Sequence, residues 1–259
     1  MPILKSGEAL IHYALEGQSG MPVLVFSNSL GANYSMWDAQ ANEFRKKLRV
    51  LRYDTRGHGQ SSSTPGPYPI EQLAKDVVAL LDALDLDRVH FCGLSMGGMI
   101  GMWLGVNAPE RLNKLILCNT GARIGTLEAW NARIEAVRKN GMKSIASAVV
   151  ERWFSPAFRE KSPAIISSTL KMLEEANSDG YSACCVAVRD FDFREQLSGI
   201  RTPTLVISGA HDPATPASDG RFLAQQIPGA RYAELNAAHL SNIEDRDRFN
   251  KELAAFLNS

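Results

Sequence analysis

The sequence predicts an α/β protein, with a mostly parallel central sheet, helices on both faces and a helical segment inserted late in the chain. Three observations predict it. Short, continuously apolar runs alternate with helical patterns, as they do when strands are buried on both faces. That rhythm stops between about Gly121 and Arg194 and resumes at Pro203. The run Val89–Cys92 leads through Gly93-Leu94-Ser95-Met96-Gly97 directly into an apolar helix.

The expected strands are Ala9–Leu15, Val23–Ser27, Val50–Tyr53, Val89–Cys92 and Leu115–Cys118, then Thr204–Ser208 and Arg231–Leu235. Leu73, Val77, Leu80, Leu81 and Leu84 recur at the spacing of one buried helical face. Phe249, Leu253, Phe256 and Leu257 repeat that pattern at the C-terminus. The interrupting segment reads as helix over Glu128–Lys139, Met142–Trp153, Pro163–Glu175 and Ser178–Val188, and it carries Trp130, Trp153, Phe154 and Phe158. A helical insertion between two sheet strands reads as a cap over the strand ends, where open α/β sheets bind ligands. The expected division is therefore a core of residues 1–120 and 195–259 and a cap of residues 121–194.

A chain of 259 residues, 45% of them hydrophobic, suits one large domain with an insertion. Lys plus Arg and Asp plus Glu number 28 each, and this balance argues against a nucleic-acid partner, which needs a basic surface. Cys92 and Cys118 lie in strand-like runs and read as buried thiols. Cys184 and Cys185 are adjacent and lack metal-ligand spacing, so neither a disulfide framework nor a metal site is expected, and a reducing cytoplasm fits. The start Met1-Pro2-Ile3-Leu4-Lys5-Ser6-Gly7-Glu8 lacks the basic and apolar regions of a signal peptide. No apolar run approaches a membrane span. Oligomeric state is not legible.

The chemistry starts at Ser95. A serine on a sharp strand-to-helix turn presents its hydroxyl above the sheet, and Gly93 and Gly97 are expected because side chains there would clash. The turn also aims the Met96 N–H, at the helix N-terminus, toward a developing negative charge. The alternative is a glycine-rich turn with an idle serine. A serine nucleophile needs a base, and the base needs an orienting acid.

Five histidines compete for the base. His12 lies in an early strand and faces solvent or a neighbouring strand. His90 precedes the nucleophile in its strand, His58 belongs to the turn Asp54-Thr55-Arg56-Gly57-His58-Gly59, and His211 sits early in its loop. His239 follows a strand, precedes the final helix and is flanked by small residues, which makes it the candidate base. Asp212, between serine and histidine in chain order, follows a buried strand and is the candidate acid. It also reads as a turn aspartate capping the helix near Asp219, and Asp190 and Asp192 are rivals for the acid. The second oxyanion donor is expected from the Leu30 N–H in Ser27-Asn28-Ser29-Leu30-Gly31-Ala32, with Gly31 permitting the turn.

These features resemble the α/β-hydrolase superfamily across nearly the whole chain. Ser27-Asn28-Ser29-Leu30-Gly31, Arg52-Tyr53-Asp54-Thr55-Arg56-Gly57-His58-Gly59, Gly93-Leu94-Ser95-Met96-Gly97-Gly98 and Leu117-Cys118-Asn119-Thr120 resemble bacterial 3-oxoadipate enol-lactonases more closely still. Ala187-Val188-Arg189-Asp190 and Ala237-Ala238-His239-Leu240-Ser241-Asn242 extend the likeness. Asn28-Ser29 stands where related hydrolases carry His-Gly, and a main-chain donor survives that exchange.

The resemblance implies hydrolysis of 3-oxoadipate enol-lactone to 3-oxoadipate in the β-ketoadipate route of aromatic breakdown. It implies a small anionic lactone as partner and no metal or cofactor. The residues alone give only acyl transfer to water. A carboxylesterase, a carbon–carbon bond hydrolase and a non-catalytic ligand sensor on the same fold are the alternatives. The lactone's carboxylate needs a buried partner. Trp130 and Arg133 share one face of the helix Glu128–Lys139, so Arg133 is the candidate carboxylate ligand, with Trp130 and Trp153 walling the pocket. Arg133 also reads as a solvated surface arginine, with Arg138 and Arg189 in reserve.

Overall fold

The computed structural model describes residues 2–259; Met1, which begins the expected core segment and N-terminal run, lies outside the described residues. The chain opens with β1 (Ile3–Ser6), β2 (Ala9–Glu16), β3 (Val23–Ser27), α1 (Asp38–Phe44) and β4 (Arg49–Tyr53). It continues with α2 (Ile70–Ala83), β5 (Val89–Leu94), α3 (Met96–Asn107) and β6 (Leu112–Cys118). Helices α4 (Leu127–Asn140), α5 (Lys143–Trp153), α6 (Pro156–Lys161), α7 (Pro163–Glu174) and α8 (Ser178–Asp190) intervene before β7 (Thr204–Gly209). The chain ends with α9 (Ala217–Gln226), β8 (Arg231–Leu235), α10 (Ser241–Glu244) and α11 (Arg246–Leu257).

The described strands form one sheet in the order β1-β2-β4-β3-β5-β6-β7-β8. β1, β2 and β4 pair antiparallel, and every pair from β4 through to β8 is parallel. Every residue of β3 and β7 is buried, which explains their unbroken apolar runs. The stripe Leu73, Val77, Leu80 and Leu81 of α2 is fully buried, each side chain contributing roughly 1.5–3 kcal/mol, while Leu84 at its end is half-buried.

β4 lies on one side of β3 and β5 on the other, so the chain reverses direction across the sheet at β3. The loops after β3 and β5 therefore splay apart around a crevice at the strand C-terminal ends. The turns after β6, β7 and β8 open on the same end, because these strands are parallel.

All seven expected strands occur, lengthened by up to three residues, and the four expected helices between β6 and β7 occur within two residues of their expected ends. β1 and α6 were not expected. β1 is a four-residue edge strand with only Ser6 buried, too short and too exposed to show an apolar pattern. α6 is a single short helix started by Pro156, with Ser155 Oγ accepting from the Phe158 N–H. Cys92 and Cys118 are free and buried, as their strand-like runs predict, and Cys184 and Cys185 are free and buried as well. Among the described residues, no helix is long and apolar enough to cross a membrane.

Candidate active site

Ser95 stands between β5 and α3 with φ 59° and ψ −116°, a left-handed backbone that costs energy for any side chain. The surroundings over-determine it. Its N–H donates to the Cys118 carbonyl at 2.9 Å, and its own carbonyl accepts from Thr120 Oγ1 at 2.7 Å. The flanking glycines are sterically required: a Cβ on Gly93 would lie 2.1 Å from the Gly97 carbonyl oxygen, and one on Gly97 would lie 2.3 Å from that of Ser27. The fully buried neighbours Leu94 and Met96 leave Ser95 as the accessible residue of the turn.

Asp212 follows β7 and His239 follows β8, and the two strands are parallel neighbours. His239 Nδ1 lies 2.8 Å from Asp212 Oδ2 with both side chains buried. Asp212 Oδ2 also accepts from Thr215 Oγ1 at 2.6 Å and from Asn119 Nδ2 at 3.0 Å, and Oδ1 accepts the Ala214 and Thr215 N–H groups at 2.8 and 3.0 Å. Burial alone would raise the Asp212 carboxyl; the charge of His239 and the hydrogen bonds from His239, Thr215 and Asn119 outweigh it and hold the carboxyl below its ordinary value. Asp212 is thus the partner of His239 and a turn aspartate, but it does not cap the helix near Asp219: α9 has Pro216 at its N-cap and no side-chain cap, and the Asp212 bonds end at Thr215. Its bonds fix the turn, and the turn fixes the carboxylate.

The loop Ser27–Ala32 runs beside the serine turn. Asn28 clamps it from two sides, with its side-chain amide donating to the Tyr53 carbonyl at 2.8 Å and its own carbonyl accepting from the Gly97 N–H at 3.0 Å. Gly31 turns the loop with φ 89°. Leu30 and Ser95 line one cavity, and the Leu30 N–H has no acceptor among the described residues. Met96 is the first residue of α3, so its N–H has no intrahelical carbonyl to meet.

That cavity measures about 190 Å³. Ser95 and His239 line it, and Trp130, Arg133, Val149, Arg152 and Trp153 come from the helices between β6 and β7. The Arg133 guanidinium stacks 4.7 Å from the Trp130 ring, so the helical spacing does place them together. Burial and the neighbouring Arg133 both lower the Arg152 guanidinium, which still remains charged. Two cations thus share a small, largely apolar space in which no Asp or Glu side chain takes part. Burial drives the Tyr181 hydroxyl upward, with Arg133 pulling it back only in part, so Tyr181 lines the cavity in its neutral, protonated form.

The other candidates lie elsewhere. Asp190 pairs with Arg189, and Asp192 with Arg194, at the surface. His211 is exposed and bonds Asn236. His12 does not face solvent; its Nδ1 lies 3.0 Å from Asp54 Oδ2, just past the neighbouring strand β4. His90 is half-buried on β5. Arg138 and Arg189 line a separate surface groove. Sequence reasoning missed Asn119, Thr215, Arg152 and Tyr181. Asn119 and Thr215 carry a usable signal, each being a polar residue at the C-terminal end of, or just beyond, a buried strand. Arg152 and Tyr181 carry none, because their facing depends on how the helices pack.

The chain belongs to the alpha/beta hydrolase fold family, the class that this sheet and serine turn define, and the family's sequence model matches residues 22–246. Among its relatives are two 3-oxoadipate enol-lactonases of Acinetobacter baylyi. Enol-lactonase 2 is 45% identical over 98% of this chain and 95% of its own length, and enol-lactonase 1 is 39% identical over 95% and 92%. The crystal structure of the enol-lactonase from Burkholderia xenovorans LB400 superposes with a TM-score of 0.98, at 44% identity and complete coverage of both chains. These relatives bear out the resemblance read from the loop, turn and strand-end motifs.

Proposed function

We propose that this protein is a serine hydrolase that opens 3-oxoadipate enol-lactone with water to give 3-oxoadipate, in the β-ketoadipate route of aromatic breakdown. The observation that carries the reading is the pairing, in one cavity, of an acyl-transfer site with two guanidiniums that no lining carboxylate neutralises. A neutral ester would leave both cations uncompensated, whereas the lactone's carboxylate arm gives them a partner.

In this reading residues 121–194 form a cap and residues 1–120 and 195–259 the core. Ser95 Oγ attacks the lactone carbonyl while His239 Nε2 takes its proton, and Asp212 orients the ring and stabilises its charged form. The Leu30 and Met96 N–H groups hold the oxyanion. Collapse of the tetrahedral adduct breaks the ring C–O bond, and His239 returns the proton to the departing enol oxygen. The enol becomes the ketone of the product. No fragment departs, so the whole substrate is carried as an ester on Ser95. Water then attacks that ester with His239 as base and releases the dicarboxylate. Arg133 binds the carboxylate arm, and Trp130 and Trp153 wall the ring. The partner is a small anionic lactone, and a reducing cytoplasm suits four free, buried thiols.

The test compares kcat/KM for the enol-lactone, followed by loss of its ultraviolet absorbance, with that for uncharged aryl esters. Preference for the enol-lactone by a hundredfold or so fits the contribution of one charge-assisted contact. Equal or better turnover of aryl esters would make the protein a carboxylesterase, and binding without multiple turnover would make it a sensor.

A further inference from the structure

His58 is a buried imidazole with no part in the chemistry above. The Gly31 N–H donates to its Nε2 at 2.9 Å. A main-chain N–H can only donate, so Nε2 is the unprotonated nitrogen and the ring proton sits on Nδ1. Nδ1 faces the Arg56 carbonyl at 3.3 Å, with Cys184 Sγ at 4.0 Å. Burial lowers the affinity of this ring for a second proton, more than the Arg56 carbonyl and the Asp54 charge restore it.

The turn that carries His58 is itself anchored. Arg56 makes a two-pronged bond to the buried Asp76 of α2, at 2.8 and 2.6 Å, and Asp54 accepts the Tyr34 and Gln60 N–H groups. The Gly57 backbone meets that of Gly180 in α8 so closely that a Cβ on Gly57 would lie 2.6 Å from the Gly180 Cα. His58 is therefore a fixed acceptor, and Gly31 is the residue that adapts to it. Gly31 directly follows Leu30. The segment between the Asn28 clamp and the His58 acceptor is only Ser29 and Leu30, so the two anchors set where the Leu30 N–H points.

We propose that His58 is a positioning residue for this reaction: as the Nδ1–H tautomer it holds Gly31, and through Gly31 it aims the Leu30 N–H at the oxyanion. The proposal rests on the oxyanion assignment given above. A loosened donor weakens the transition state more than the ground state.

Three variants and one spectrum test it. His58→Leu removes the acceptor and is expected to lower kcat on enol-lactone by about 10- to 100-fold with KM changed less than about threefold, as for a weakened oxyanion donor. His58→Gln, whose amide oxygen can accept the Gly31 N–H, is expected to recover most of the loss, and His58→Phe, which fills space without accepting, is not. A trifluoromethyl ketone, whose adduct with Ser95 carries an oxyanion, should bind more weakly to the Leu variant, while affinity for the product 3-oxoadipate should hold. Undiminished kcat in His58→Leu, or equal losses of kcat and product affinity in all three variants, overturns the proposal while leaving the lactonase reading intact. The spectrum needs no variant: imidazole ¹⁵N shifts of the wild-type protein at neutral pH should report His58 protonated at Nδ1 alone. A proton on Nε2 overturns the proposal even if no His58 variant folds.

Discussion

Asn119 donates to Asp212 Oδ2 at 3.0 Å while its own side-chain oxygen accepts from Ser241 Oγ at 2.6 Å. The same amide nitrogen lies 3.1 Å from the Ala238 carbonyl, next to His239. One buried side chain at the end of β6 thus ties the acid after β7 to the histidine loop after β8. Asn119 has φ 43°, a conformation Asn tolerates better than most residues.

Asn119→Gly keeps that backbone open and deletes only the side chain. It strands the Ser241 hydroxyl and the Ala238 carbonyl and takes one donor from Asp212. The expected cost is roughly 1–3 kcal/mol of stability, read by urea unfolding. A loss of kcat smaller than that of removing the Asp212 charge should accompany it. Unchanged stability and kcat would mean that Asn119 is a bystander.

Asp212→Asn should leave a folded protein whose kcat falls by about 10²–10⁴-fold, because a neutral amide cannot stabilise the charged imidazole. Its pH dependence has a fixed sign. Burial opposes ionisation of Asp212, but its partners win and the carboxyl lies below the ordinary 3.8. A carboxyl lowered on folding contributes stability that is present above its ordinary range and lost as pH falls through its folded value. The Tm advantage of wild type over Asp212→Asn should therefore be full near neutrality and shrink below about pH 4. An advantage that grows on acidification would contradict the shift. If Asp190→Asn or Asp192→Asn proves the crippling change, the acid is misassigned.

Arg133→Ala should lower kcat/KM on enol-lactone by about 10- to 150-fold, the worth of a charge-assisted hydrogen bond of roughly 1.5–3 kcal/mol. Turnover of an uncharged ester should barely change. Equal losses on both substrates would indicate damage to the helices around the cavity, and no loss on either would mean that Arg133 does not hold the carboxylate.

Most of the sheet was legible because β3 and β7, and the C-terminal parts of β5 from Phe91 and of β6 from Leu115, are buried on both faces and read as largely apolar runs. β1 was not, since an edge strand with one buried residue has no pattern to read. Ser95 was legible because a strand-to-helix turn as tight as Gly93–Gly97 leaves a written record in glycine. Asp212 and His239 were legible by chain order, but their contact was not, for it depends on β7 and β8 being adjacent. The Arg133–Trp130 stack followed from spacing within one helix. Arg152 did not, because its direction is set by how α5 packs against α4 and α7, which no local pattern records.

In the proposed mechanism Ser95 forms the acyl bond. The most direct test of that role is the turnover of enol-lactone by Ser95→Ala beside wild type, followed by loss of ultraviolet absorbance. Loss of the nucleophile should reduce kcat on the order of a million-fold, as removal of the serine does in a serine protease. A Ser95→Ala protein that turns over enol-lactone within about tenfold of wild type would show that water attacks the lactone directly and that Ser95 is not the nucleophile.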